Sequence, residues 1–72
     1  MKIRVESRPG LAGELEPAVI WFGSRRLVVT AISDRWYDAD RRWWKLETEG
    51  GVYVLRRKDG SEEWELAAVP RV

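Results

Sequence analysis

Arg41-Arg42-Trp43-Trp44-Lys45-Leu46-Glu47-Thr48-Glu49-Gly50-Gly51-Val52-Tyr53-Val54-Leu55-Arg56-Arg57-Lys58-Asp59-Gly60 is the stretch on which the fold turns. It holds two runs rich in aromatic and β-branched residues, separated by Gly50-Gly51 and closed by Asp59-Gly60. Such runs between glycine turns read as hairpin strands, here over residues 43–49 and 52–57. Successive side chains on a strand point to opposite faces. Trp43, Lys45 and Glu47 therefore share one face, and Trp44, Leu46 and Thr48 the other. Leu46 assigns Trp44 to the core and leaves Trp43 outside, beside Arg41, Arg42 and Lys45. An exposed ring among cations suggests a binding surface.

Working outward, residues 61–69 read as a strand with Trp64, Leu66 and Ala68 on one face and Glu63 and Glu65 on the other. Pro70 ends it, because proline cannot donate to a ladder. On the N-terminal side, residues 34–42 are too polar and too long for a tight turn, and read as a loop carrying Trp36 and Tyr37. Residues 25–33 contain the longest apolar run, Leu27 to Ile32, and should lie centrally in the sheet. Gly23-Ser24 reads as a two-residue primed turn with glycine first. Residues 18–22 and 2–7 are further strands, and the segment 8–13 between them is a loop. Residues 11–16 can form one helical turn.

Helical periodicity is otherwise weak, so the chain reads as all-β. The expected architecture is a small antiparallel meander of five to six strands, curled as an SH3-like open barrel, with a flatter sheet as the alternative. Curling also disposes of exposed strand edges. Trp21, Trp44 and Trp64 are the expected core rings.

Seventy-two residues make one small β domain. Such a domain hides only about 60% of its unfolded surface, which makes large aromatics valuable in its core. Without cysteine it has neither disulfides nor a thiolate metal site. No apolar run approaches the roughly 18 residues that span a membrane, and residues 1–6 show no signal-peptide pattern. The expected setting is cytoplasmic. Asn and Gln are absent, which leans toward a thermophilic source, while ten Arg against three Lys fit a GC-rich genome equally well.

The net charge of +1 is unevenly spread: residues 25–58 carry nine basic and five acidic groups, and residues 59–72 one basic and four acidic. The basic centre and the acidic C-terminal strand either pair across a hairpin or leave a free basic patch.

Catalysis has little to work with. Lacking His and Cys, the chain cannot build the common triads or dyads, and it reads as no enzyme. Asp34, Asp38 and Asp40 form a carboxylate cluster, but Arg35, Arg41 and Arg42 compete for it, so no metal is expected. No glycine pattern matches a phosphate loop, and no cofactor is expected. What remains is aromatic plus basic. Trp36, Tyr37 and Trp43 can stack bases, while Arg25, Arg26, Arg35, Arg41, Arg42, Lys45, Arg56 and Arg57 can hold phosphates. Against this, Trp36 can fold over a barrel end, and an arginine can cover Trp43.

The stretch from Val28 to Glu65 resembles the DUF6504 family, small bacterial domains of unknown function. The matching motifs are an apolar strand ending in Asp34-Arg35-Trp36, a polar segment, Arg42-Trp43-Trp44, then Gly51-Val52-Tyr53-Val54-Leu55 and a last strand carrying Trp64. Members occur alone or beside Y-family-polymerase-like proteins of translesion synthesis. The resemblance implies an accessory domain in nucleic-acid metabolism and supplies no catalytic residues. The acidic run Glu62-Glu63-Trp64-Glu65 departs from the pattern and favours a protein partner.

Two expectations follow. The first is a single-stranded nucleic-acid binding module of DNA metabolism or repair, with Arg35, Trp36, Tyr37, Arg41, Arg42, Trp43, Lys45, Arg56 and Arg57 as its contacts. The second is a protein-interaction adaptor, with a polymerase-like partner or a second copy docking on the exposed Trp edge. The surface charge separates them. A continuous positive groove through Trp43 supports nucleic acid, and alternating charge around an apolar patch supports protein.

Overall fold

Short turns between alternating runs set the topology. The computed structural model describes residues 2–10 and 13–69. It contains six strands: β1 (Lys2–Pro9), β2 (Leu15–Phe22), β3 (Arg25–Asp38), β4 (Arg41–Thr48), β5 (Gly51–Lys58) and β6 (Trp64–Ala68). Each pairs antiparallel with the next, and β1 returns to β6, so the meander closes into a small barrel. The seam is narrow, joined at Lys2↔Glu65 and Ile3↔Trp64. The barrel expected to be open is thus closed, at one short seam.

Local chemistry explains two of the turns. Gly23-Ser24 joins Phe22 to Arg25 as expected, with Gly23 at φ 62°, a conformation open to glycine at little cost. The next glycine turn is shifted by one residue: Thr48 pairs with Gly51, so Glu49-Gly50 form the turn. The Thr48 hydroxyl sets that shift, accepting from the Gly50 N–H at 3.0 Å and donating to the Gly51 carbonyl at 2.9 Å.

Three expected boundaries move for physical reasons. The segment 34–42 is not a loop. β3 runs to Asp38, Ala39-Asp40 turn the chain, and β4 starts at Arg41. Its charged residues pair across strands, so polarity does not oppose strand structure there. β6 starts at Trp64 rather than residue 61, because Ser61 closes a local turn. Its N–H donates to the Lys58 carbonyl, and its hydroxyl accepts from the Glu63 N–H, each at 3.0 Å. Residues 8–9 extend β1 rather than opening a loop, and residues 15–16 pair with them in β2 rather than forming a helical turn; Leu11, Ala12 and Pro70 lie outside the described residues.

β3 belongs to both halves of the barrel, and it bends to do so. Its first part, Arg25 to Val28, pairs with β2, and its remainder pairs with β4. Two bulges, at Thr30 and Ser33, supply the bend. Each bulged residue turns its hydroxyl to a β4 carbonyl: Thr30 donates to Glu47 and Ser33 to Lys45, both at 3.1 Å.

The core is the inner face of this barrel: Ile20, Leu27, Val29, Trp44, Leu46, Tyr53, Leu55 and Trp64. Burying each such side chain contributes about 1.5–3 kcal/mol. Trp44 and Trp64 meet at 4.9 Å between ring centroids, tilted by 45°. Trp21 is not a core ring. It faces outward between Arg4 and Arg26, with the Arg4 guanidinium 4.6 Å from its centroid and its indole N–H on Glu6. The apolar run around it holds Ile20 instead, the residue of opposite parity. No helix among the described residues is long and apolar enough to cross a membrane.

Candidate interaction face around Trp36 and Trp43

Strand register divides the nine expected contact residues between two faces. On the outer face, Trp36 of β3 lies opposite Trp43 of β4, which lies opposite Arg56 of β5, which lies opposite Glu65 of β6. Arg41 and Lys45 share that face by alternation. Arg35, Tyr37, Arg42 and Arg57 carry the opposite parity and gather toward the barrel end.

The outer row is a continuous stack. The Trp36 and Trp43 rings are 5.8 Å apart and within 11° of parallel. The Arg56 guanidinium covers the far side of Trp43 at 5.4 Å and lies 3.3 Å from Glu65 Oε1. Trp43 is therefore half-buried, between a ring and a cation, and its indole N–H meets no acceptor among the described residues. Trp36 ends the stack and is 40% exposed. It neither enters the core nor covers the barrel end.

The rows beside this stack carry alternating charge. Asp34 faces Lys45, and Asp38 faces Arg41, which faces Lys58. Asp40 takes both Arg41, at 3.5 Å, and Lys58, at 3.7 Å. The Asp59 N–H donates to the Asp40 carbonyl at 2.7 Å, which ties the β3–β4 turn to the β5–β6 turn. Among the described residues no group of three or more acidic side chains is placed to hold a metal.

On the other face, most cations are also engaged. Arg35 forms a two-pronged ion pair with Glu16, its second arm at 3.1 Å. That guanidinium holds the Glu16 carboxyl below its ordinary range, and the buried Trp44 indole adds to the effect. Arg42 pairs with Glu14, lies 3.9 Å from Asp59 and sits 5.5 Å from the Tyr37 ring. Tyr37 donates to Asp59, and this bond raises the phenol above its usual range. Arg57 covers the Trp64 ring at 4.8 Å.

Glu14 and Glu16 are the residues that reading the sequence missed. They lie far along the chain from the cations they neutralise, and only the closed topology brings them there. Opposite charge at strand-pairing distance was visible in the sequence for Glu65 alone. Comparison with family models, curated proteins and solved structures finds no match to the chain.

Proposed function

We propose that this chain is a non-catalytic binding module whose contact surface is the outer face around Trp36 and Trp43, and that its partner is a protein. The observation that carries this reading is the alternating charge around the exposed Trp36 ring. On that face Asp34 and Asp38 lie opposite Lys45 and Arg41, and Arg41 and Arg56 each lie against a carboxylate; on the other face Arg35 and Arg42 are paired likewise. Phosphates would have to displace those partners, whereas an aromatic anchor ringed by mixed charge suits a protein surface. Val52 and Val54 extend the apolar area beside Lys45, and Val52 is 40% exposed. A cysteine-free chain suits a cytoplasmic setting, and the resemblance to the DUF6504 family adds a polymerase-like protein as the partner class.

Single-stranded nucleic acid is the second reading, favoured by one observation. Trp36 ends the Arg56–Trp43–Trp36 stack with a ring face turned away from Trp43, where a base can add itself.

The test runs both readings side by side. Labelled single-stranded DNA is titrated at two salt concentrations, and partners are captured from lysate with the wild type and with Trp36→Ala. The protein reading expects a captured protein that the variant loses, and no DNA binding at tens of micromolar. Salt-dependent DNA binding lost in Trp36→Ala, at a slope of about −0.7 per phosphate contact, contradicts it.

A further inference from the structure

Among the described residues, β3 has no strand paired along one of its edges beyond Val28. The β2 ladder ends at Val28, while β4 continues beside β3 to Asp38. Every residue from 33 to 39 is exposed. Asp38↔Arg41 closes a two-residue hairpin, so that pair exchanges hydrogen bonds. Alternation then makes Trp36↔Trp43 a bonded pair and leaves Arg35 and Tyr37 with their N–H and C=O turned away from β4. The Arg35 N–H bears this out, because its acceptor is the neighbouring Asp34 Oδ1, at 2.8 Å.

We infer that the edge of β3 from Asp34 to Asp38 accepts an extended strand of another protein, one with an apolar residue flanked by basic residues two positions away on each side. This rests on the protein-partner reading above and names the partner's chemistry. The backbone groups of Arg35 and Tyr37 supply ladder hydrogen bonds, as in strand addition generally. Trp36 supplies the apolar contact. Asp34 and Asp38 share its face, two residues to either side; Lys45 and Arg41 lie opposite them on β4, but neither carboxylate has a cation within ion-pair distance among the described residues. Cations directly opposite them on an incoming strand complete the charge pairing. The groove beside Ile32 and Arg35, of about 470 Å3 and bounded by Arg8 and Pro9, leaves room for a side chain on the other face.

A second copy of this chain is the wrong occupant. A two-fold antiparallel pairing centred on Trp36 sets Asp34 against Asp38 of the other copy twice, and like charges opposite one another destabilise a sheet. Shifted to centre on Arg35, it opposes two guanidinium groups. Nucleic acid is disfavoured by the same two carboxylates.

The experiment titrates the whole chain with a fluorescein-labelled peptide of alternating threonines, with lysine, tryptophan and lysine between them. The control peptide carries glutamate for both lysines. The wild type should prefer the lysine peptide by about tenfold, within the range of two cross-strand charge pairs. The Arg35 and Tyr37 amide resonances should shift on binding. Asp34→Lys with Asp38→Lys should invert the preference, and Asp34→Asn with Asp38→Asn should abolish it, with unchanged far-ultraviolet dichroism in both.

A preference that survives the charge swap, or equal binding of both peptides, overturns the inference. So does single-stranded DNA displacing the peptide. If no peptide binds while a lysate protein is still captured through Trp36, strand addition fails and the protein-partner reading stands. Loss of capture as well removes both.

Discussion

Trp36 stacks on Trp43 across the β3–β4 ladder at 5.8 Å, yet both rings lie outside the core that their neighbour Trp44 helps to build. An aromatic cross-strand pair on a wet face is worth about 0.5–1 kcal/mol. Trp36→Ala should therefore lower urea-unfolding stability by about that much while removing partner binding. Trp44→Ala removes a buried ring, at about 3–5 kcal/mol. Against a whole stability of roughly 4–10 kcal/mol that is a large share, so the urea midpoint of this variant should fall several times further than that of Trp36→Ala. Equal costs at the two positions would refute the assignment of faces.

Stability should fall at both pH extremes for separate reasons. Glu16 has its folded pKa held below the ordinary 4.5, chiefly by the Arg35 hydrogen bond. Its contribution is present above the unfolded value and fades as pH falls through the folded one. Tyr37 is raised above the ordinary 10.0, chiefly by its bond to Asp59. Its contribution is present below the unfolded value and fades as pH rises through the folded one. Glu16→Gln should flatten the acid limb of a melting-temperature profile, and Tyr37→Phe the alkaline limb. A profile unchanged by either substitution would count against these two contacts.

The bulges of β3 give a third expectation. Thr30→Val and Ser33→Ala each remove the hydroxyl that occupies a β4 carbonyl. Each should cost about 0.5–1.5 kcal/mol, the ordinary worth of one hydrogen bond. Chemical denaturation measures this directly, and two neutral substitutions would mean that water serves those carbonyls equally well.

At the β3–β4 turn, Ala39 sits at φ 55°, where a Cβ is strained by about 1–2 kcal/mol. Glycine relieves that strain but orders a more flexible residue on folding, at about 0.5–1 kcal/mol. Ala39→Gly should therefore stabilise the protein by about 0.5 kcal/mol, read as a higher urea midpoint. A lower midpoint would place the strain elsewhere.

Much of the fold was legible locally. Period-two patterns gave the opposite faces of Trp43 and Trp44, and Gly23-Ser24 gave its turn. The segment 34–42 was misjudged because its polar residues suggested a loop, while their pairing partners on β4 and β5 make it a hairpin. Trp21 was misassigned because a strand apolar on both faces carries no parity signal. At the site, the exposed Trp36 and Trp43 were legible as aromatics beside cations. The pairing of those cations was not, since Glu14 and Glu16 reach Arg42 and Arg35 only after the barrel closes.

Amide hydrogen exchange on the free chain tests the central claim, an open β3 edge beside the Trp36 stack, most directly. The Trp36 and Trp43 amides should be protected by their shared ladder pair, while those of Arg35 and Tyr37 exchange far faster, close to the rate of turn residues. Equal protection at 35, 36 and 37 would contradict the account, because the edge would then be covered already.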